Sequence, residues 1–292
     1  MKAIMLAAGE GSRCYPFTYL SPKIAQQVCG IPLLEYMLSW FSGTPEIEKL
    51  YIVARNDTAV KTIKNYIQNR KPYLTEIVDS FRRLGFKVEY VNPDLESEVI
   101  KARGWGTGGD LRLALNQITP IDKLGEDFLV CYGDYIITRR LPDGQLSPQL
   151  DLSDTISYHR KCKRALNTVM TVALTVVEKE AATRFGVAQL EQAKGFNLVR
   201  GFAEKPDIND IPEKPPINAG VYVIDSNFVL SDIDEFLPEK PNTDIAKTLL
   251  ERLAKENKPR LAAYLLDLCS WFDVGTLEQL INANLCIASQ KG

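Results

Sequence analysis

The feature that most constrains the fold is the N-terminal segment, in which a short apolar run leads directly into a glycine-rich loop. Residues 2–6 (KAIML) have the composition of a buried parallel strand, and the loop that follows contains Gly9 and Gly11. A helical pattern over 33–41 and a second apolar run over 50–54 come next. Strands that alternate with helices from the first residue onward predict a doubly wound α/β sheet.

The remaining segments extend this pattern to the end of the chain. Helices are predicted over 58–69, 74–84, 153–166, 243–256 and after Gly275, and strands over 86–91, 128–131, 168–177, 186–190, 198–202, 219–224 and 261–266. A polar, proline-rich stretch over 205–216 reads as a surface loop. No change of composition separates two domains. We therefore expect one domain over 1–292 with two functional lobes, at about 1–137 and about 138–292.

Charge and hydropathy exclude several classes of partner. The 35 Lys and Arg residues nearly balance the 37 Asp and Glu residues, which leaves a net charge of −2 and no basic excess for binding nucleic acid. No apolar stretch is long enough to span a membrane, and the apolar start is too short for a signal peptide. Six cysteines without a CxxC pair indicate reduced thiols. These features predict a cytoplasmic protein.

The chain contains one histidine, His159, and this limits the chemistry open to it. A metal site built from several histidines is impossible, so catalysis depends on carboxylates, Lys, Arg, backbone amides and hard metal ions. That set suits phosphoryl and nucleotidyl transfer. His159 itself is expected on the solvent-facing side of a helix.

The glycine-rich loop has the properties of a phosphate-binding segment. Its sequence over 6–23 is LAAGEGSRCYPFTYLSPK, in which small residues let the backbone approach a ligand closely. Free amides in such a loop form an anion-binding nest, and Arg13 and Lys23 add two positive charges. The Walker pattern is absent, and Cys14 stands where a dinucleotide-binding fingerprint would have its third glycine.

The same segment resembles the N-terminal signature of the sugar-1-phosphate nucleotidyltransferases, in which AAGxGTR is followed by PK. The resemblance is greatest to the short, single-domain thymidylyl-, uridylyl-, cytidylyl- and guanylyltransferases. It continues in the family's order through six short motifs: GTGG at 106–109, YGD at 132–134, FGV at 185–187, EKP at 204–206, NAG at 218–220 and WFDVGT at 271–276.

The resemblance implies both a fold and a reaction. The fold is a doubly wound, mixed but mostly parallel sheet of the Rossmann-like nucleotide-diphospho-sugar transferase type, without a C-terminal β-helix domain. The reaction transfers a nucleotidyl group from a nucleoside triphosphate to a sugar 1-phosphate with the help of Mg²⁺, giving a nucleotide-sugar and pyrophosphate. dTTP or UTP is the favoured donor, with CTP or GTP as alternatives, and glucose 1-phosphate is the favoured acceptor.

The resemblance also implies roles for the two lobes and for individual residues. The lobe at about 1–137 is the nucleotide-binding lobe, and the lobe at about 138–292 is the sugar-phosphate-binding lobe. The catalytic residues are Arg13, Lys23 and Asp134, and the metal ligands are Asp134 and Asp273. The nucleotide-binding residues are Leu6, Ala8, Gly9, Gly11, Ser12, Arg13, Gly106 and Thr107. The residues that bind the sugar phosphate are Gly186, Glu204, Lys205 and Asn218.

The chain departs from the family pattern at a few positions. Lys101 occupies the place of a base-reading glutamine, a role that Asn92 could take instead, and Gln27 and Tyr135 are also unusual. Two alternatives therefore stay open: a catalytically silent subunit that binds nucleotide-sugars for regulation, and a nucleotidyltransferase for a non-sugar phosphate. The sequence is also compatible with a homo-oligomer.

Overall fold

In the computed structural model the chain forms two compact units, each assembled from separate stretches of sequence. The first unit consists of Met1–Leu95, Tyr132–Ser153 and Leu268–Gly292, and the second of Glu96–Cys131 and Asp154–Asp267. The structure describes residues 1–9, 11–19, 21–54, 57–69, 87–91, 106–118, 125, 127–148, 150–238, 240, 242–256, 260–267 and 269–289. The predicted helix over 74–84, Asn92 and Lys101 lie outside the described residues. The predicted division into lobes near residue 137 concerns substrate binding and stays a prediction.

The first unit contains the N-terminal strand, its loop and the end of the chain. Numbered in chain order through both units, its described elements are β1 (Lys2–Leu6), β2 (Gln27–Val28), β3 (Ile31–Pro32), α1 (Leu33–Ser42), β4 (Lys49–Val53), α2 (Asp57–Asn69), β5 (Lys87–Val91), β7 (Tyr135–Arg140), β8 (Leu146–Ser147), β14 (Cys269–Asp273) and α9 (Leu277–Ser289). β1, β4 and β5 are parallel neighbours, as the alternating pattern predicted. β14, β7 and β8 form a separate antiparallel sheet.

A hydrophobic cluster holds the small antiparallel sheet between two helices of this unit. It joins Leu33 and Tyr36 of α1, Ile136 of β7 and Leu280 of α9, all of which are buried. The indole N–H of Trp40 also donates to the carbonyl of Ile137 at 3.0 Å. Because α1 and α9 both pack on this sheet, the residues at its ends are held in fixed positions.

The second unit contains most of the remaining strands. Its described elements are α3 (Gly106–Ile118), β6 (Asp127–Tyr132, whose last residue belongs to the first unit), α4 (Ser153–Leu166, whose first residue belongs to the first unit), β9 (Met170–Val176), α5 (Lys179–Ala182), β10 (Gly186–Ala193), β11 (Phe196–Glu204), β12 (Pro216–Asp225), α6 (Ser226–Ser231), α7 (Ile233–Phe236), a π-helix (Ile245–Leu250), α8 (Glu251–Lys255) and β13 (Leu261–Leu265). The single helix predicted over 243–256 is thus a π-helix followed by an α-helix, and it begins at Ile245 because Asp244 caps it by accepting from Ala246 N at 2.8 Å.

The sheet of the second unit is mainly antiparallel, which corrects the expectation of a mostly parallel sheet for this part of the chain. Its order is β10-β11-β13-β9-β12-β6, and among its described strands only β9 and β13 pair in parallel. β10 and β11 form a hairpin, which is antiparallel by construction, and β12 runs antiparallel to both of its neighbours, β6 and β9. The mixed α/β class itself is as predicted.

The environment of His159 is the opposite of the predicted one. Its side chain is fully buried, because α4 turns Thr155, His159 and Cys162 towards the interior. Nδ1 lies 2.9 Å from the hydroxyl of Thr171, and Nε2 lies 3.4 Å from a carboxylate oxygen of Asp127. The buried ring is therefore stabilised by a hydrogen bond at Nδ1 and by the nearby Asp127 carboxylate, although Nε2 makes no hydrogen bond among the described residues.

Two further sequence-based expectations concern cysteines and membranes. None of the six cysteines, all of which are described, forms a disulfide, in agreement with the prediction of thiols. Within the described part of the chain, every helix is too short or too polar to traverse a lipid bilayer.

Candidate active site

The glycine-rich loop begins where β1 ends, and the turn after β6 packs against that end. Gly133 N donates to the carbonyl of Leu6 at 2.9 Å. A Cβ atom on Gly133 would lie 3.0 Å from the Leu6 carbonyl and 3.1 Å from the Ala7 side chain, so glycine permits this close approach. Asp134, the next residue, is thereby placed beside the loop. Leu6 and Ala8 are themselves buried.

The loop after β1 folds back so that Gly11, near its start, lies close to Lys23 at its end. Gly11 has a left-handed backbone (φ 69°), and its carbonyl accepts from the hydroxyl of Thr18 at 2.6 Å. A Cβ atom on Gly11 would lie 3.3 Å from the Lys23 side chain. Ser12 and Arg13 belong to a short 3₁₀ turn and are exposed. Gly9 is exposed as well, with nothing within 4 Å of a Cβ built on it.

Cys14 ties this loop to the residues after β14. Its thiol lies 3.4 Å from the carbonyl of Gly275 and 3.6 Å from that of Val274. Burial raises the pKa of the thiol above its ordinary value, an effect that the charges of Lys23 and Arg13 oppose. Cys14 is therefore a protonated donor at neutral pH and holds the Arg13 turn close to Gly275.

Lys23 and Asp134 form an ion pair. Nζ of Lys23 lies 2.7 Å from Oδ2 of Asp134, and the lysine side chain is only 11% exposed. A buried ammonium group needs such a partner because burial without one is costly. Two of the three residues predicted to be catalytic are thus in direct contact.

Asp273 is the neighbour of Asp134 through the β7–β14 ladder. Asp273 is paired with Tyr135, and Val274 N donates to the carbonyl of Asp134 at 3.1 Å. The two carboxylates interact, since the charge of Asp134 is one reason why the pKa of Asp273 is raised; burial is the larger reason. The predicted pair is therefore brought together, and the roles of both residues as metal ligands stay a prediction.

Both carboxylate oxygens of Asp273 receive hydrogen bonds. Oδ1 accepts from Gly275 N at 2.7 Å, and Oδ2 accepts from the side-chain amide of Gln279 at 2.6 Å. These bonds favour the ionised form and oppose the rise in its pKa. Gln279 was not singled out from the sequence. It lies in the first turn of α9, three positions beyond the WFDVGT motif.

This arrangement fits a hard divalent cation. Among the described residues, no group of three or more His, Cys, Asp and Glu side chains is arranged to hold a metal ion. Mg²⁺ commonly takes only one or two carboxylates from the protein and keeps water and substrate oxygens for the rest. Two neighbouring carboxylates, one of them with a raised pKa, are stabilised by such a cation.

The predicted sugar-phosphate residues belong to the second unit, where Gly186 pairs with Glu204 between β10 and β11. A Cβ atom on Gly186 would lie 2.3 Å from Cζ of Phe202 and 2.8 Å from Oε2 of Glu204. Glycine at this position therefore leaves room for protein side chains, the Glu204 carboxylate among them, and not only for a ligand. Lys205 follows with a left-handed backbone (φ 55°), and its amide donates to the carbonyl of Phe185 at 3.0 Å.

Glu204 lies among other charged groups of the same unit. Burial and the carboxylate of Asp244 raise the pKa of Glu204 to about 7, whereas Lys205 and Lys247 lower it. Glu251 accepts a hydrogen bond from the backbone amide of Glu204 at 3.2 Å. Asp244 and Glu251 were not identified from the sequence, because they come from the π-helix and α8, far along the chain.

The GTGG segment begins helix α3. The amides of Gly108 and Gly109, in the first turn of α3, donate to the carbonyl of Thr243 at 2.9 and 3.1 Å. The hydroxyl of Thr107 accepts from Ile245 N at 3.0 Å. A Cβ atom on Gly106 would lie 2.4 Å from the Thr243 carbonyl. The contacts of Gly106 and Thr107 with a nucleobase stay a prediction.

Asn218 is buried and satisfied within its own strand. Its side-chain amide donates to the hydroxyl of Tyr222 at 2.7 Å, and its carbonyl oxygen accepts from Gly220 N at 2.9 Å. These bonds span the irregularity in β12 between Asn218 and Tyr222. Asn218 therefore shapes this bulge, and its contact with a sugar stays a prediction.

Comparisons with known proteins agree on one family. The family model described as nucleotidyl transferase matches residues 2–290. The chain is 28% identical to the bifunctional protein GlmU of Methanococcus vannielii, and the similarity covers 97% of this chain and 54% of that protein. It is 24% identical to the UTP–glucose-1-phosphate uridylyltransferase of Synechocystis over 94% of its length and 60% of that protein. The chain thus spans about half to three fifths of these curated relatives.

Solved structures show the same fold. The crystal structure of a UDP-glucose pyrophosphorylase complexed with UDP-glucose is similar with a TM-score of 0.74 at 20% identity, covering 99% of this chain and 98% of that one. An apo UDP-glucose pyrophosphorylase is similar with a TM-score of 0.72 at 22% identity, covering 100% and 99%. The Rossmann-like nucleotide-diphospho-sugar transferase fold is confirmed, and the chain belongs to the nucleotidyl transferase family.

Proposed function

We propose that this protein is a Mg²⁺-dependent sugar-1-phosphate nucleotidyltransferase of nucleotide-sugar biosynthesis. It would act in the cytoplasm on a nucleoside triphosphate, with dTTP or UTP favoured, and on a sugar 1-phosphate, with glucose 1-phosphate favoured. The observation that carries the proposal is the contact of Lys23 with Asp134 beside Asp273. The activities for which the relatives are named, which include that of a glucose-1-phosphate adenylyltransferase of Desulfitobacterium hafniense, support the same reaction class.

In this reaction a phosphate oxygen of the sugar 1-phosphate attacks the α-phosphorus of the triphosphate. A new phosphorus–oxygen bond forms, the bond between the α-phosphorus and the bridging oxygen to the β-phosphate breaks, and pyrophosphate leaves with that oxygen. The attacking phosphate has a second pKa of about 6, so it is largely ionised at neutral pH and needs no general base. The protein must instead neutralise and align negative charge.

Each charged residue takes one part of that task. Arg13 binds the β- and γ-phosphates, since a guanidinium group contacts phosphate oxygens in a bidentate manner. Lys23 stabilises the charge that develops at the α-phosphorus. Asp134 and Asp273 would hold Mg²⁺, which when bound supplies further neutralisation of the phosphates.

The second unit contributes the acceptor-binding residues in this proposal. The Glu204 carboxylate accepts hydrogen bonds from sugar hydroxyls, with Gly186 leaving space beside it. Lys205 binds the sugar phosphate, and Asn218 contacts the sugar. The further nucleotide-binding residues of the proposal are Leu6, Ala8, Gly9, Gly11, Ser12, Gly106 and Thr107.

A substrate panel tests the proposal. The purified protein is incubated with Mg²⁺, each of dTTP, UTP, CTP, GTP and ATP, and a set of hexose 1-phosphates, with phosphocholine as a non-sugar acceptor. Pyrophosphate release and the nucleotide product are measured. We expect release with at least one sugar 1-phosphate. Release only with phosphocholine would overturn the sugar assignment, and binding of nucleotide-sugars without any release would indicate the silent regulatory subunit instead.

A further inference from the structure

Gln279 combines two features that the proposed reaction does not yet explain. Its side chain is only 8% exposed, so its amide needs partners inside the protein. The N–H group has one, Oδ2 of Asp273 at 2.6 Å. The carbonyl oxygen Oε1 is buried and makes no hydrogen bond among the described residues.

The orientation of this amide follows from the chemistry of its neighbour. An ionised carboxylate only accepts hydrogen bonds, so the N–H side of the amide must face Asp273 and the oxygen must point away. A buried acceptor left without a donor costs about 1–3 kcal/mol. Such an oxygen indicates that a donor is present when the site is in use.

The space around this oxygen is lined by polar groups, and Gly275 places no side chain in it. A Cβ atom on Gly275 would lie 2.8 Å from Oδ1 of Asp273, 3.3 Å from Oε1 of Gln279 and 3.6 Å from a terminal nitrogen of Arg13. Glycine at this position therefore leaves a small volume between a carboxylate, an amide oxygen and a guanidinium group. Water is the kind of group that satisfies all three, because it donates to the two oxygens and accepts from the guanidinium group.

We propose that Gln279 is a positioning residue for the divalent cation. Its N–H group holds Asp273 in the orientation that places it beside Asp134, and its carbonyl oxygen accepts a hydrogen bond from the water that accompanies the cation. The inference rests on the proposed function, because that function supplies the cation. It makes Gln279 a determinant of cation affinity and not a group that touches the reacting phosphates.

The test measures cation binding directly as well as activity. Mn²⁺ replaces Mg²⁺, and free Mn²⁺ is quantified by electron paramagnetic resonance with the wild type and with Gln279→Met, which keeps the length of the side chain and removes both polar atoms. Removing a residue that orients a metal ligand typically weakens metal binding about 10–100-fold, and we expect a loss in that range. The matched control is Glu278→Gln, an exposed neighbour on the same helix, which should bind Mn²⁺ like the wild type.

Kinetics separate positioning from a general loss of structure. In Gln279→Met, the Mg²⁺ concentration for half-maximal rate should rise about tenfold or more while kcat at saturating Mg²⁺ stays close to the wild-type value. Unfolding temperature and circular dichroism verify the fold. If the Met variant does not fold, Gln279→Asn is used, since it stays polar but is one carbon too short to reach Asp273.

The outcomes distinguish this inference from the proposed function. Unchanged Mn²⁺ affinity in a folded variant overturns the inference even if the wild type is an active transferase. Weakened Mn²⁺ binding in the variant, together with a wild type that binds Mn²⁺ but shows no turnover, supports the inference and contradicts the function. A wild type that binds no Mn²⁺ overturns the inference together with the metal assignment.

Discussion

The ammonium group of Lys23 lies 2.7 Å from Oδ2 of Asp134, and this contact links the glycine-rich loop to the turn after β6. Burying an ammonium group costs less free energy when it is paired with a carboxylate than when it has no partner. When an anionic phosphate binds, the same ammonium group can also donate a hydrogen bond to it, since it carries three N–H donors. One side chain can therefore organise the site and stabilise the transition state.

The first prediction concerns that lysine. Lys23→Met should reduce kcat for pyrophosphate release about 10²–10³-fold, as does the loss of other groups that stabilise developing negative charge. Steady-state kinetics with a coupled pyrophosphate assay would measure the effect. Lys61→Met, at an exposed position of α2, is the control and should be unaffected. Activity near the wild-type level in Lys23→Met would remove this residue from the mechanism.

The second prediction concerns the carboxylate pair and Mg²⁺. A ligand that binds only the folded protein stabilises it, by about 1.4 kcal/mol when present at ten times its Kd. The wild type should therefore unfold at a higher temperature in the presence of Mg²⁺, and Asp134→Asn and Asp273→Asn should each lose this rise. Asp143→Asn, in an exposed turn of the same unit, should keep it. An equal rise in all four proteins would contradict the metal assignment.

The third prediction concerns the pH dependence of sugar binding. The pKa of Glu204 is raised to about 7, so its carboxylate gains a proton as the pH falls through that value. If the ionised form accepts the sugar hydroxyls, affinity for the sugar 1-phosphate should fall with decreasing pH, by up to about tenfold per pH unit below 7. Calorimetric titration at several pH values would measure it. In Glu204→Gln this part of the pH dependence should vanish, so that only the titration of the substrate phosphate remains. The same dependence of affinity on pH in both proteins would argue against the role of Glu204.

The fourth prediction concerns stability in acid. Asp127 is 5% exposed and contacts Lys163 at 2.8 Å and His159 at 3.4 Å. Burial raises its pKa, but the hydrogen bonds and charges of His159 and Lys163 outweigh burial and lower it to about 2. Because the folded pKa lies below the unfolded one of about 3.9, this contribution is present above pH 4 and is lost as the pH falls towards 2.

Asp127→Asn should accordingly destabilise the protein at neutral pH by about 2–4 kcal/mol, since it leaves Lys163 and His159 without their shared carboxylate. The difference from the wild type should shrink between pH 4 and pH 2. Urea unfolding at each pH would measure both effects. A difference that stays constant over this range would show that the charge of Asp127 is not the source of the stability.

The fifth prediction concerns the space between β10 and β11. Gly186→Ala would place a methyl carbon 2.3 Å from Cζ of Phe202 and 2.8 Å from Oε2 of Glu204, so the carboxylate must shift. We expect a raised KM for the sugar 1-phosphate and destabilisation by about 1–3 kcal/mol. Phe202→Leu in the same protein should relieve part of the crowding. If neither KM nor stability changes, the two strands accommodate the methyl group and the prediction of crowding is wrong.

Much of the fold could be predicted from local patterns in the sequence. The apolar runs of β1, β4 and β6 and the amphipathic pattern of α1 lie where they were predicted, because burial of a strand or a helix face is encoded in neighbouring residues. The glycine-rich loop with Arg13 and Lys23 was identified in the same way, since close backbone approach and positive charge are properties of the segment itself.

The tertiary structure decided what the distant segments do together. β7 and β14 were not predicted as strands, yet their pairing alone places Asp273 beside Asp134. Asp244 and Glu251 act on Glu204 from positions far along the chain, and Gln279 reaches Asp273 from the first turn of α9. His159 is buried because Thr171 and Asp127 offer it partners from other elements. Contacts of this kind depend on long-range packing, which the spacing of residues along one segment does not contain.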